Sequence, residues 1–174
     1  IGSVYWAQGK YKEALKWLDK ALEIDEKVLD PLSPDLATSY NNIGCVYWAQ
    51  GKNEEALKWL EKALAIREKV LDPLSLDLAI TYGNIGKVCF QMENYEKALE
   101  YCLKALQIYE SIYAEQPNHP DLAICYANIS EIYEDLNNRE KALEYQLKAL
   151  RVWEFIYGEY YPNHPRLANG YYRT

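Results

Sequence analysis

The chain has 174 residues, of which 49% are hydrophobic and 26% charged, the profile of a folded rather than a disordered chain. With 19 basic against 26 acidic side chains the net charge is −7. That argues against nucleic acid as a partner, because neutralising phosphates needs a basic face. No apolar run is long enough for a membrane span, and no basic n-region with an apolar h-region marks a signal peptide.

Residues 1–8 read as the back half of a helix, and they recur almost letter for letter at residues 43–50. A second helix is expected from about Tyr11 to Leu29. Ala14, Leu15, Leu18, Ala21, Leu22 and Val28 fall there at three- and four-residue spacing, one buried stripe. The connector Asp30-Pro31-Leu32-Ser33-Pro34 follows. Pro31 stops the helix, Ser33 suits an N-cap and Pro34 suits the first helical position. Helix pairs are then expected at Asp35–Gln50 with Asn53–Leu71, Asp77–Met92 with Tyr95–Tyr113, and Asp121–Leu136 with Arg139–Tyr157. The connectors 114–120 and 158–165 are longer, at little cost in closure entropy. Arg166 to Thr174 matches Asp35 to Ile43.

The small residue of the first helix recurs as Gly2, Gly44, Gly86 and Ser130, and the alanine of the second as Ala14, Ala56, Ala98 and Ala142. Both series step by 42, 42 and 44. A fixed period of this length means stacked helix pairs. The expected fold is all-α: an α-α superhelix of stacked antiparallel helix pairs, one solenoid over 1–174. Full repeats are expected at 35–71, 77–113 and 121–157, with partial repeats at 1–29 and 166–174. Both ends fall in mid-helix, so the chain is expected to be a piece of a longer array.

Leu36, Tyr40, Ile43 and Tyr47, with their equivalents, are expected to pack on the second helix of their own repeat. Gly44, Gly86 and Ser130 would let the axes approach to about 8–9 Å against Ala56, Ala98 and Ala142. The bulky series Trp17, Trp59, Tyr101 and Tyr145 is expected to pack repeat on repeat. Cys45, Cys89, Cys102 and Cys125 form no C-x-x-C pair and fall inside the expected helices. They read as small buried side chains in a reducing, cytoplasmic compartment.

The recurring Tyr40, Ile43, Gly44, Tyr47, Ala56, Leu60 and Ala63 resemble the tetratricopeptide repeat, lengthened by about one turn per helix. The strings Asn118-His119-Pro120-Asp121-Leu122-Ala123, Gln50-Gly51-Lys52 and residues 63–71 resemble the kinesin light chain type of that repeat. The resemblance spans nearly the whole chain. It implies an adaptor or scaffold whose first helices line a concave groove that binds a peptide or a partner protein.

On that implied groove face lie Thr38, Asn41, Asn42, Cys45, Trp48 and Ala49. Next come Ile80, Gly83, Asn84, Lys87, Phe90 and Gln91, then Ile124, Ala127, Asn128, Glu131, Glu134 and Asp135. Asn42, Asn84 and Asn128 recur at one position. Their amides either pair with a peptide main chain or bridge neighbouring helices. Trp6, Trp48 and Phe90 share another position, as groove anchors or as packing, and Glu134 replaces them in the last full repeat. A ligand with an apolar part near Trp48 and Phe90 and a basic part near Glu134 fits such a groove. In kinesin light chains basic groove residues receive acidic motifs, and here Lys87 alone supplies that charge.

No glycine-rich phosphate loop, nucleophile elbow or metal-ligand spacing is present, so no catalytic residue, metal or cofactor is expected. His119 and His164 lie in Asn-His-Pro turns. The sequon Asn128-Ile129-Ser130 falls inside a packed helix. Glu54, Glu55 and Glu61 alternate with Lys58 and Lys62 as surface pairs. Two alternatives accompany the binding scaffold: an array that self-associates head to tail through complementary terminal half-helices, and a non-catalytic regulatory region of a larger multidomain enzyme.

Overall fold

The computed structural model describes residues 2–157. Ile1, the connector 158–165 with His164, and the expected partial repeat 166–174 lie outside the described residues. Among the described residues eight helices follow one another: α1 (Gly2–Ala7), α2 (Tyr11–Val28), α3 (Pro34–Ala49), α4 (Asn53–Val70), α5 (Leu76–Gln91), α6 (Tyr95–Ile112), α7 (Pro120–Asp135) and α8 (Arg139–Tyr157).

Helix ends follow from local chemistry that the repeat carries along. Ser33 Oγ accepts the Asp35 N–H at 3.2 Å ahead of α3, and Ser75 Oγ accepts the Asp77 N–H at 3.2 Å ahead of α5. His119 takes this capping role for α7, its Nδ1 accepting the Asp121 N–H at 3.3 Å. Each first helix ends in the same left-handed turn. The Gly51 N–H reaches the Trp48 carbonyl at 2.9 Å and the Lys52 N–H reaches Tyr47 at 3.0 Å. Gly51 adopts φ 73° there, but Glu93 (φ 59°) and Asn137 (φ 58°) fill the equivalent place. A side chain at such φ costs on the order of 1 kcal/mol.

Small residues fix the spacing within each pair. A Cβ on Gly44 would stand 2.7 Å from Leu60 Cγ, and one on Gly86 would stand 2.6 Å from Cys102 Sγ. Ser130 is admitted because its hydroxyl donates to the Ala142 carbonyl at 2.8 Å. Ala14, Ala56 and Ala98 opposite are fully buried, and Ala142 nearly so. Ile43, Ile85 and Ile129 fill one equivalent core position with no exposed surface.

The aromatic series corrects one expectation. The ring contacts of Trp59, Tyr101 and Tyr145 are made within a repeat, not between repeats. Each lies on the first-helix tyrosine of its own repeat: Tyr40–Trp59 at 5.5 Å, Tyr82–Tyr101 at 6.0 Å and Tyr126–Tyr145 at 6.1 Å between centroids. Lys62, Lys104 and Lys148 cover these rings at 4.3–5.3 Å, as Lys20 covers Trp17 at 5.0 Å. The link between repeats is made by the tyrosine hydroxyls. Tyr40, Tyr82 and Tyr126 donate to Glu26, Glu68 and Glu110 of the preceding second helix at 3.0, 2.8 and 2.9 Å. Burial and Glu68 together push the Tyr82 phenol up to about 12. Surface pairs at i, i+4 form as Lys27–Glu23, Lys104–Glu100 and Lys148–Glu144 at 2.7–2.8 Å, and not among the expected residues: Glu61 pairs with Lys97 of the next repeat and Lys62 lies over Trp59.

A second tie between repeats lies deeper. Ser39 donates to Asp25 at 2.6 Å where α3 meets α2. One repeat on, Arg67 stands at Asp25's position, with 3% of its surface exposed. It donates to Thr38 Oγ1 at 3.0 Å, Thr81 Oγ1 at 2.6 Å and the Asp77 carbonyl at 3.0 Å, so it pins α3, α4 and α5 together. Burial lowers the guanidinium pKa, against the pull of Asp77, whose carboxylate lies 3.8 Å away.

First helices of successive repeats touch, α3 with α5 and α5 with α7. The second helices α4 and α6 stand further apart and are spanned by a side-chain pair, Lys97 to Glu61 at 3.4 Å. The closer layer is the inside of the bend, so the first helices form the concave wall.

Candidate functional site

The concave wall is cut by clefts between neighbouring first helices. Between α1 and α3, a cleft of about 270 Å³ is lined by Gly2, Trp6, Leu18, Asn42, Cys45 and Val46. Between α5 and α7 lie two adjoining spaces. One, of about 210 Å³, is edged by Ile80, Gly83, Asn84, Tyr109, Ile124 and Asn128. The other, of about 330 Å³, is edged by Trp48, Phe90, Gln91, Asn128, Glu131 and Ile132. Lys87 and Cys102 line both.

Of the site residues expected from sequence, Trp48, Lys87, Phe90, Asn128 and Glu131 therefore share one cleft, and Asn84 lies in the adjoining space with Lys87 and Asn128. Asn42 belongs to a separate cleft, and Glu134 is exposed outside all three. The asparagine row is thus divided. Asn84 Nδ2 donates to Asn41 Oδ1 at 3.2 Å and to Cys45 Sγ at 3.4 Å, which bridges α5 to α3. Asn41, placed on the open face by its spacing, is buried at 8% exposure by that bridge.

The aromatic positions also differ. Trp6 is exposed, whereas Trp48 and Phe90 are half-buried. Phe90 rests on Tyr95 at 5.7 Å. The Trp48 indole Nε1 is buried and has no hydrogen-bond partner. Lys87 makes no ion pair or hydrogen bond among the described residues, although it lines both α5–α7 spaces.

The thiols give no reactive centre. Cys45, Cys89, Cys102 and Cys125 are all free. Burial pushes every one up, Cys102 to about 12, with Lys87 pulling Cys45, Cys102 and Cys125 the other way. Cys125 Sγ donates to the Cys102 carbonyl at 3.6 Å. Among the described residues no group of three His, Cys, Asp or Glu side chains is placed to hold a metal ion.

Sequence reasoning missed Arg67 and Tyr109. Both complete an i, i+3, i+4, i+7 stripe, Leu60-Ala63-Leu64-Arg67 and Cys102-Ala105-Leu106-Tyr109, which marks them as inward-facing. It also left Gly83 without a role. A Cβ on Gly83 would meet nothing within 4 Å. A glycine within a helix costs about 1 kcal/mol relative to alanine.

A family model described as "Tetratricopeptide repeat" matches residues 1–69 and 77–154. No curated protein matches the chain. Among solved structures, BtubC (BKLC) from P. vanneervenii is similar with a TM-score of 0.86 at 19% identity, over 99% of this chain and 67% of that one. A putative kinesin light chain from Podosopora anserina, with nearly identical TPR-like repeats, gives 0.80 at 19% identity, over 99% and 82%. MamA gives 0.63 at 25% identity, over 88% and 70%.

Proposed function

The chain belongs to the tetratricopeptide repeat family, and from that premise we propose that it is a non-catalytic interaction scaffold holding a peptide, or a segment of a partner protein, in its concave groove. The observation that carries this reading is the cleft between α5 and α7. It gathers an apolar floor (Trp48, Phe90, Ile132), a cation (Lys87), an amide (Asn128) and a carboxylate (Glu131) in about 330 Å³. An apolar anchor with a few converging polar groups is the usual make-up of a peptide site. The likeness to a putative kinesin light chain supports an adaptor role. Four free thiols fit a reducing, cytoplasmic setting. No helix among the described residues is long and apolar enough to cross a membrane.

The test uses a displayed random peptide library selected on the wild-type chain. Binding of the enriched peptides is then measured to Phe90→Ala/Asn128→Ala. Asn84 is left intact, because its amide holds α5 to α3. The double variant should bind at least about tenfold more weakly, with its helical circular dichroism retained. Equal affinity for both proteins would remove the reading.

A second reading, head-to-tail association of copies, rests on the open face of the first repeat. Val4 and Ile24 are 59% and 61% exposed there, while their equivalents Val46 and Ile66 are 2% and 7% exposed within the stack. Another repeat seated on this face, of the same chain or of a second copy, would bury them. Light scattering should then show mass rising with concentration. A monomer at high concentration would end this reading.

A further inference from the structure

Every other glycine among the described residues has a reason in the fold. Gly9 and Gly51 adopt φ of 70° and 73°. A Cβ on Gly2, Gly44 or Gly86 would press on the second helix at 3.1, 2.7 or 2.6 Å. Gly83 has neither reason. It lies within α5, and the space around its missing Cβ is open. Its counterparts in the neighbouring repeats are Asn41 and Ala127, so the repeat does not require a bare backbone at this position.

What Gly83 does face is the smaller α5–α7 space, between Ile80 and Ile124. Lys87 stands one turn further along the same helix face, and Asn128 stands across the gap. Neither makes a hydrogen bond among the described residues. The carboxylate of Asp121 in the same space is already engaged by the Tyr113 hydroxyl, which donates to it at 3.0 Å. The open polar groups are therefore the Lys87 ammonium, the Asn128 amide and the Tyr109 hydroxyl, all of which can donate to an acceptor.

We propose that Gly83 is the point of closest approach of the ligand: an extended peptide whose main chain lies directly on α5, with its carbonyl groups toward Lys87 and the Asn128 amide. A bare Cα lets a main-chain oxygen come to about 3.3–3.6 Å, where a Cβ would hold it away. This makes Gly83 the position that sets how closely the ligand main chain seats in the groove. It rests on the peptide-binding reading above.

The experiment takes the peptides selected on the wild-type chain and measures their affinity for Gly83→Ala and Gly83→Leu, beside each variant's melting temperature. Gly83→Ala should raise Tm by about 2–4 °C, because the helix gains propensity and nothing is crowded. Its affinity should fall by at least about tenfold, and Gly83→Leu should bind too weakly to measure. A variant that is more stable yet binds worse separates a ligand role from a structural one. A lower Tm for Gly83→Ala would reveal a packing need and overturn the proposal. Wild-type affinity in both variants, with loss in Phe90→Ala/Asn128→Ala, overturns it and leaves the groove reading standing. Wild-type affinity in all three, or a selection that yields no peptide, overturns both.

Discussion

Gly86→Leu is expected to destabilise the chain by about 3 kcal/mol, the upper end of the cost of overpacking a filled contact. For a chain of this size that lowers Tm by roughly 6–12 °C. The first added carbon alone would stand 2.6 Å from Cys102 Sγ and 3.3 Å from the Ala98 carbonyl oxygen. The carbonyl belongs to the backbone of α6 and cannot swing aside. Three further carbons would have to enter the same seam, so α5 and α6 must separate. The separation also spoils the burial of Ile85 and Val88, now 0% and 1% exposed. Ser130 shows what the position tolerates. It adds one carbon and one oxygen, and the oxygen bonds to the Ala142 carbonyl. Thermal unfolding followed by circular dichroism checks the prediction. An unchanged Tm would mean that the helices are not held at the distance described.

Arg67→Met is expected to stabilise the chain, by about 2 kcal/mol, raising Tm by roughly 4–8 °C. The guanidinium is almost wholly buried, yet its nearest carboxylate, Asp77, is 3.8 Å away and half-exposed. Its Nε has no acceptor. The desolvation of the charge is therefore poorly offset. Its partners keep other bonds once it is gone: Thr81 donates to the Asp77 carbonyl at 2.8 Å, and Thr38 donates to the Pro34 carbonyl at 3.1 Å. Methionine fills a similar length without a charge. The molecule already performs this exchange, because Tyr109 and Trp153 stand at the equivalent positions of the next two repeats. A lower Tm in Arg67→Met would show that the tie across three helices outweighs the burial of its charge.

Helix boundaries were legible to within about one residue, because capping and turn residues travel with the repeat. Ser33 with Pro34, Gly51 and Asn53 each mark an end that the structure confirms. The close contact at Gly44 and Gly86 was legible for the same reason. What periodicity does not encode is which neighbour a stripe meets. Trp59 and Tyr101 were on the right side of their helices, but the ring they touch belongs to their own repeat. Charge misleads in a related way. Arg67 reads as surface by its chemistry and as core by its spacing, and spacing prevails because three acceptors converge on it. Of the candidate site, Trp48, Lys87, Phe90, Asn128 and Glu131 came together as their shared stripe implied. The exceptions were Asn84, whose amide Asn41 claims, Asn42, which lines the separate cleft between α1 and α3, and Glu134, which lies outside all three clefts.

The hydroxyl ties of Tyr40, Tyr82 and Tyr126 bind each unit to the one before it. Load drawn along the axis crosses one such seam after another, as it would the links of a chain. The seams are not equal: one adds a serine to a carboxylate, the next an arginine spread over three rods, the third neither. Pulled from its ends, such a molecule gives way seam by seam in order of strength, and its compliance is written by whichever amino acid sits at Asp25, Arg67 and Tyr109.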